Sequence, residues 1–220
     1  MTNENVPKLR FPGFDESYET KSLGDLFDFL STNSYSRANL NEEEGNIKNI
    51  HYGDIHTKFP TLLNCEKVNI PFINSNIDLS KISNDSYCKN GDLIIADASE
   101  DYEDIGKAIE LKNIKDTKIL AGLHTLLARD NSNNTAEGYR CYMFLNPKLK
   151  SNIKKIANGI SVLGISKINL SKLEVKLPSL EEQKQIGLFL SKIDEKIDFL
   201  NKKYVEFLNF KKFLMQNLFT

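Results

Sequence analysis

Glu100, Asp101, Glu103 and Asp104 place four carboxylates within five residues, inside the segment Asp97-Ala-Ser-Glu-Asp-Tyr-Glu-Asp104. Such a group could hold a divalent cation and serve a metal-dependent nuclease, but on a polar loop it reads as a solvated turn. His51 and His56 stand five apart, which turns them to different sides of a helix and makes no metal pair. Cys65, Cys88 and Cys141 are odd in number and widely spaced. That argues against a disulfide framework or a zinc site and fits three plain thiols in a reducing compartment. No G-x-x-x-x-G-K-[ST] loop occurs, and Asn146-Pro147 alone does not make an Asn-Pro-Pro-Tyr or Asp-Pro-Pro-Tyr methyltransferase motif. The chain is expected to carry no catalytic residue, metal or cofactor of its own.

What remains is recognition. Lys and Arg supply affinity through phosphates, whereas Arg, Asn, Gln, Ser and Thr read base edges. A formal net charge of -1 hides the uneven spread that such a surface needs. Residues 85–110 hold eight acids and two lysines, a balance of -6. Residues 140–180 hold eight basic residues against Glu174 alone, a balance of +7. Folding can put these segments on different faces, one of which attracts phosphate; two solvated faces of opposite sign are the competing reading. Lys154, Lys155 and Lys167 are the candidates for contact with a phosphate backbone. Ser161 and Ser166 are further donors, and Gly159 lets the chain approach a phosphate closely. Tyr35 and Arg37, in the polar stretch 31–39, are candidates too. Lys58, Lys107, His124 and Arg129 are further candidates of the same kind. Each lysine can equally be an exposed solubilising charge, and side-chain type without docking geometry leaves the bases open.

A length of 220 residues suggests one domain plus an appendage, and 40% hydrophobic with 27% charged residues is globular composition. No apolar run approaches the roughly 18 residues of a membrane span, and MTNENVPKLRFPGF lacks a signal-peptide core, so a cytoplasmic protein is expected. Residues 1–20 read as a polar arm broken by Pro7 and Pro12. From Ser22, the string SLGDLFDFL starts a short helix or strand. Between residues 46 and 177, short apolar pieces such as NIKNIHYGDI, KNGDLIIADAS, KILAGLHTLLARD, YRCYMFLN and KLEVKLP alternate with turn clusters. They fit strands of a mixed sheet, with a helix over 147–157. The fold class is α+β, with a mixed domain over 21–178.

After Pro178 the texture changes. Ser179-Leu-Glu-Glu182 predicts a capping box, with the serine accepting the Glu182 N–H and the carboxylate reaching back. Ile186, Ile193, Leu200, Phe207 and Leu214 recur every seven residues, as do Leu190, Ile197, Tyr204, Lys211 and Leu218. This 3-4 alternation is a coiled-coil seam over a helix of roughly 50 Å, in a segment spanning 179–220. A stripe that long outruns one small domain and calls for a partner helix; a helix lying along its own domain is the alternative. Lys211, the polar residue in the seam, can set register or orientation.

Here the residues resemble a known family. Val6-Pro-Lys-Leu-Arg-Phe-Pro-Gly-Phe14 followed by Lys21-Ser-Leu-Gly-Asp-Leu-Phe27 resembles the start of a type I restriction–modification specificity subunit. Val175-Lys-Leu-Pro-Ser-Leu-Glu-Glu-Gln-Lys-Gln-Ile186, running through Phe189-Leu-Ser-Lys-Ile-Asp194, resembles that family's entry into its spacer helix. Ile50-His-Tyr-Gly-Asp-Ile55, Asn90-Gly-Asp-Leu-Ile-Ile-Ala-Asp97 and Ala121-Gly-Leu-His124 are similar to phrases of its target recognition domains. The resemblance departs at Tyr18, where many relatives carry tryptophan, and in length, since a full subunit has two such units in tandem.

The resemblance implies a non-catalytic subunit of a type I endonuclease and adenine methyltransferase, reading one half of a split site on double-stranded DNA. It implies a methylation subunit carrying S-adenosylmethionine and a restriction subunit using ATP and Mg as partners. The helix at 179–220 would then be a spacer, docking on a second copy or second half-subunit, and no membrane contact is expected. Two other classes compete: a coiled-coil protein-interaction module that never touches DNA, and a free-standing nuclease or methyltransferase built on the acidic loop.

Overall fold

The computed structural model describes residues 7–219; residues 1–6 of the expected arm lie outside the described residues. The chain runs through β1 (Glu19–Ser22), α1 (Leu23–Leu26), β2 (Asp28–Leu30), β3 (Leu40–Asn41), β4 (Ile47–Ile50), α2 (Tyr52–Thr57) and β5 (Leu62–Asn64). It continues with β6 (Phe72–Ile73), β7 (Leu93–Ala96), β8 (Ala98–Ser99), β9 (Ala108–Lys112), β10 (Lys118–Ala121) and β11 (Thr125–Arg129). Last come α3 (Arg140–Met143), α4 (Pro147–Ile156), β12 (Leu163–Gly164), α5 (Lys167–Ser171), β13 (Glu174–Leu177) and α6 (Leu180–Leu218). One sheet has the order β2-β11-β7-β9-β5 and a second the order β10-β4-β6-β3, while β1–β13 and β12–β8 form separate pairs. Both large sheets are mixed, with β5–β9 and β10–β4 parallel. The α+β class with a long C-terminal helix is therefore as expected.

The apolar run of β7 explains how the sheets share a core. Its side chains alternate with period two. Leu93 and Ile95 enter one hydrophobic cluster, with α1, α3 and α4, and Ile94 and Ala96 enter the other, with Ile50, Ile55 and Leu63. Cys65 and Cys88 lie in the second cluster and Cys141 in the first, all three free and buried. Burial raises each thiol's pKa, to about 11 for Cys65, so none is a reactive thiolate.

One expected strand is a helix and another is strand only in its first half. YRCYMFLN forms α3, because the buried Glu110 carboxylate accepts the N–H groups of Gly138 and Cys141 at 2.5 and 3.1 Å and so satisfies a helix start. Burial raises the Glu110 pKa against the pull of those bonds. Within NIKNIHYGDI only Ile47–Ile50 is strand; His51 caps α2, its Nδ1 accepting the Gly53 N–H at 3.1 Å. The predicted helix over 147–157 is α4, started by the Asn146 side chain and Pro147.

The root of α6 is built into the domain. Ser179 accepts the Glu182 N–H at 3.4 Å as predicted, but the carboxylate does not reach back. Arg10 Nε and Nη2 donate to its two oxygens at 2.8 and 2.7 Å, and the Tyr18 hydroxyl adds a third bond at 3.2 Å. Two charge-assisted bonds to a guanidinium fork outweigh one backbone bond. Burial first, then the Glu182 charge, pushes the Tyr18 hydroxyl to about 12, so it remains a donor. Tyr18 thus has a defined task in the position where tryptophan was anticipated. Further along, Gly187 faces the Gly138 carbonyl so closely that a Cβ would stand 2.7 Å from its oxygen. Tyr142 then donates to Asp194 at 2.7 Å.

Those contacts divide the seam. Ile186 and Leu190 pack against the first core cluster of their own domain, a correction to their assignment to a partner interface. Ile193, Ile197, Leu200, Tyr204, Phe207 and Leu218 are exposed, while Leu214 is partly covered. The helix has 39 residues and runs roughly 58 Å, with most of its apolar stripe beyond the domain.

Candidate nucleic-acid interface

Four strands end at one edge of the domain. β2 and β7 both pair with the start of β11, through Leu30↔Leu127 and Ala96↔Thr125, and the parallel pair β4–β10 ends at Ile50↔Ala121. Backbone bonds knit these ends together: Asn33 N–H to Ala121 O at 3.1 Å, Gly122 N–H to Ile50 O at 2.9 Å and Asp97 N–H to His124 O at 3.1 Å. Three of the phrases that carried the resemblance, ending near Ile55, Asp97 and His124, therefore meet in space.

The chain has three histidines, and all of them surround the Tyr52 ring. His51 lies 4.7 Å away, and His124 and His56 approach edge-on at 5.3 and 5.9 Å. Burial, then the Arg37 charge, lowers the His51 pKa, which keeps the ring neutral and its Nδ1 free to cap α2. His56 Nε2 lies 2.9 Å from the Ala98 carbonyl, while its buried Nδ1 has no hydrogen-bond partner and is 4.0 Å from Asp104. His124 is exposed, in the left-handed region at φ 53°, with Nδ1 3.4 Å from Asp97 Oδ1. Burial raises the Asp97 pKa, opposed by His124. Among the described residues no three His, Cys, Asp or Glu side chains are arranged to hold a metal.

Beside this cluster Arg37 Nη1 donates to the buried Asp54 at 2.8 Å. Lys58 reaches Glu42 at 3.0 Å and Asp54 at 3.6 Å. Tyr35 is half-buried, its N–H bonded to Asn33 Oδ1 at 3.1 Å. Lys107 donates to the His56 carbonyl at 2.9 Å and is held by the scaffold. Arg129 departs furthest from expectation. It is 6% exposed, gives Nε and Nη2 to Asp92 at 2.9 and 2.6 Å, and bonds the carbonyls of Asp85 and Tyr87. No face of it is left for DNA.

The basic segment is also less open than its charge count suggests. Arg140 is buried on Thr135 and Gly91. Lys154 pairs with Glu103 and lies 5.5 Å over the Tyr102 ring, so the acidic loop neutralises it, a correction to its assignment to phosphate. Ser166 caps α5, accepting the Asn169 N–H at 3.2 Å. Gly159 serves its own loop, because a Cβ there would stand 2.0 Å from the Val162 carbonyl oxygen. Lys155 and Ser161 are exposed. Lys167 donates to the Phe29 carbonyl at 3.0 Å. That bond, and the Ile165 N–H to Asp97 O bond at 2.8 Å, join the segment to the strand-end cluster. The two candidate regions are thus tied to each other at Phe29 and Asp97.

Sequence reasoning found Tyr35, Arg37 and His124 there but missed His51, Tyr52, His56 and Asp97. The available signal was that His51 and His124 lie within the resembling phrases and His56 directly follows one.

Among known proteins, the chain is 29% identical over 228 residues to the MjaX type I restriction enzyme specificity subunit of Methanocaldococcus jannaschii, covering 99% of this chain and 49% of that one. It is 40% identical over 81 residues to the MjaVIII specificity subunit of the same organism, covering 36% of this chain and 19% of the relative. The chain thus spans about half or less of the curated relatives it matches. The fold is similar to that of the type I system S subunit of M. genitalium, with TM-score 0.55 and 15% identity over 90% of this chain and 44% of that one. It is also similar to the HsdS subunit of Thermoanaerobacter tengcongensis, with TM-score 0.54 and 18% identity over 91% and 43%. Residues 15–207 match the family model described as the type I restriction modification DNA specificity domain, and the chain belongs to that family.

Proposed function

We propose that this chain reads one half of a bipartite DNA site and positions methylation and restriction subunits on it, without catalysing either reaction. The observation that carries the reading is the division of α6: its root is locked into the domain by Glu182, Gly187 and Asp194, while the outer stripe is exposed. A recognition domain joined in this way to an unpaired apolar helix has one half of what a split site requires. A second copy, docked antiparallel through the outer stripe, supplies the other half. Parallel pairing would stack Lys211 on Lys211 inside the seam; antiparallel pairing sets it against an apolar layer. Two-fold symmetry then gives an inverted repeat with a fixed gap. S-adenosylmethionine, ATP and Mg belong to the partner subunits, and the assembly works in the cytoplasm. No helix among the described residues is long and apolar enough to cross a membrane.

Co-expression with a methylation subunit in a methylation-free host, followed by long-read mapping of modified adenines, tests the proposal. A palindromic motif split by a constant gap is expected. No modification, together with no salt-sensitive DNA binding by the assembled complex, would overturn it in favour of a protein-interaction module.

A further inference from the structure

Among the described residues four arginines face carboxylates, Arg140 at 3.7 Å from Asp130 and three others through hydrogen bonds, of which one is made differently. Arg10 and Arg129 each grip a carboxylate with Nε and Nη2, the side of the guanidinium that faces two acceptors at once. Arg37 is held by Nη1 alone, on Asp54, which is 1% exposed. Its Nε and Nη2 have no partner among the described residues, and the side chain stays 48% exposed. The guanidinium is therefore anchored from inside while its two-toothed side keeps no hydrogen-bond partner, with Nη2 and His51 Nδ1 both close to Gly53.

We propose that Arg37 reads a guanine of the half-site through this open side. The inference rests on the half-site reading above and assigns one of its contacts. Guanine presents N7 and O6 side by side in the major groove, the acceptor pair that a guanidinium side matches. A phosphate also offers two oxygens, but the surroundings disfavour one here. Asp54 is in contact with Arg37, Glu42 lies beyond Lys58, and Asp97 faces the adjoining His124. Those carboxylates repel a phosphate, whereas the edge of a base carries no net charge. Pinning by Asp54 also limits where the side chain can go and lowers the ordering cost on contact, as suits a fixed base position.

The test uses the full chain with its methylation subunit and maps modified adenines for the wild type, Arg37→Lys and Lys155→Ala. Arg37→Lys keeps a positive charge for Asp54, so its melting temperature should stay close to the wild type. The ammonium pairs with that carboxylate and has no second side to offer. Discrimination at one G·C pair of the half-site should fall about 10- to 100-fold while the other positions keep their preference. Lys155→Ala should lower modification at every site alike. Uniform loss with Arg37→Lys would reassign Arg37 to phosphate, and an unchanged motif at unchanged extent would remove it from the interface; either overturns the proposal. A wild-type complex that neither directs modification nor binds DNA in a salt-sensitive way overturns the half-site reading itself, and this inference with it.

Discussion

Replacing Ile197 and Leu200 together by aspartate should dissociate the paired form while leaving each domain folded. Both side chains are about half exposed along the outer part of α6, at 48% and 52%, and both belong to the seam. Covering the exposed half of four such side chains, two from each copy, contributes about 3–6 kcal/mol, taking half of the roughly 1.5–3 kcal/mol for full burial. Its loss weakens pairing about 10²- to 10⁴-fold, before the cost of placing carboxylates in an apolar seam. Sedimentation should show a dimer for the wild type and a monomer for the variant at micromolar concentration. The melting temperature should hardly move, because among the described residues the last hydrogen bond from the domain to α6 is that of Tyr142 to Asp194. A variant that stays dimeric would place the interface elsewhere.

Arg129→Ala should unfold rather than merely weaken recognition. The substitution strands Asp92, 2% exposed, and two carbonyls that the guanidinium now satisfies. Removing one partner of a buried pair costs about 3–5 kcal/mol. In a chain of this size that lowers the melting temperature by roughly 6–20 °C. Asp92→Ala should do the same, for the mirror reason. Thermal unfolding followed by circular dichroism checks both. An Arg129→Ala variant that melts like the wild type but binds DNA poorly would restore Arg129 as a contact.

These two cases show what was legible in the sequence. The seven-residue repeat needs only helical periodicity, and it predicted α6 and its exposed stripe directly. That Ile186 and Leu190 face their own domain was not visible, because the repeat does not say where the domain ends. The extent of α6 contact is set by Gly187 against Gly138 and by Tyr142 against Asp194, pairs about 50 residues apart in the chain. Arg129 and Lys154 misled for a related reason. A basic residue looks the same in sequence whether it meets water, DNA or a carboxylate folded onto it from 37 or 51 residues away. YRCYMFLN has the aromatic, apolar look of a strand, yet Glu110 overrides that preference by binding backbone N–H groups at the start of α3. The strand-end cluster was half legible. Tyr35, Arg37 and His124 were chosen by residue type and loop position, but only the parallel pairing of β4 with β10 brings His51 and Tyr52 beside them.

A half-site reader carried on a helical ruler must respond to the ruler's length, which removal of one heptad, residues 201–207, changes. The deletion keeps the seam in phase and shortens α6 by about 10 Å, roughly three base pairs of duplex. Mapping of modified adenines should show the same half-sites separated by a shorter gap, or no modification where the shortened pair fails to assemble. An unchanged gap with full modification would contradict the account.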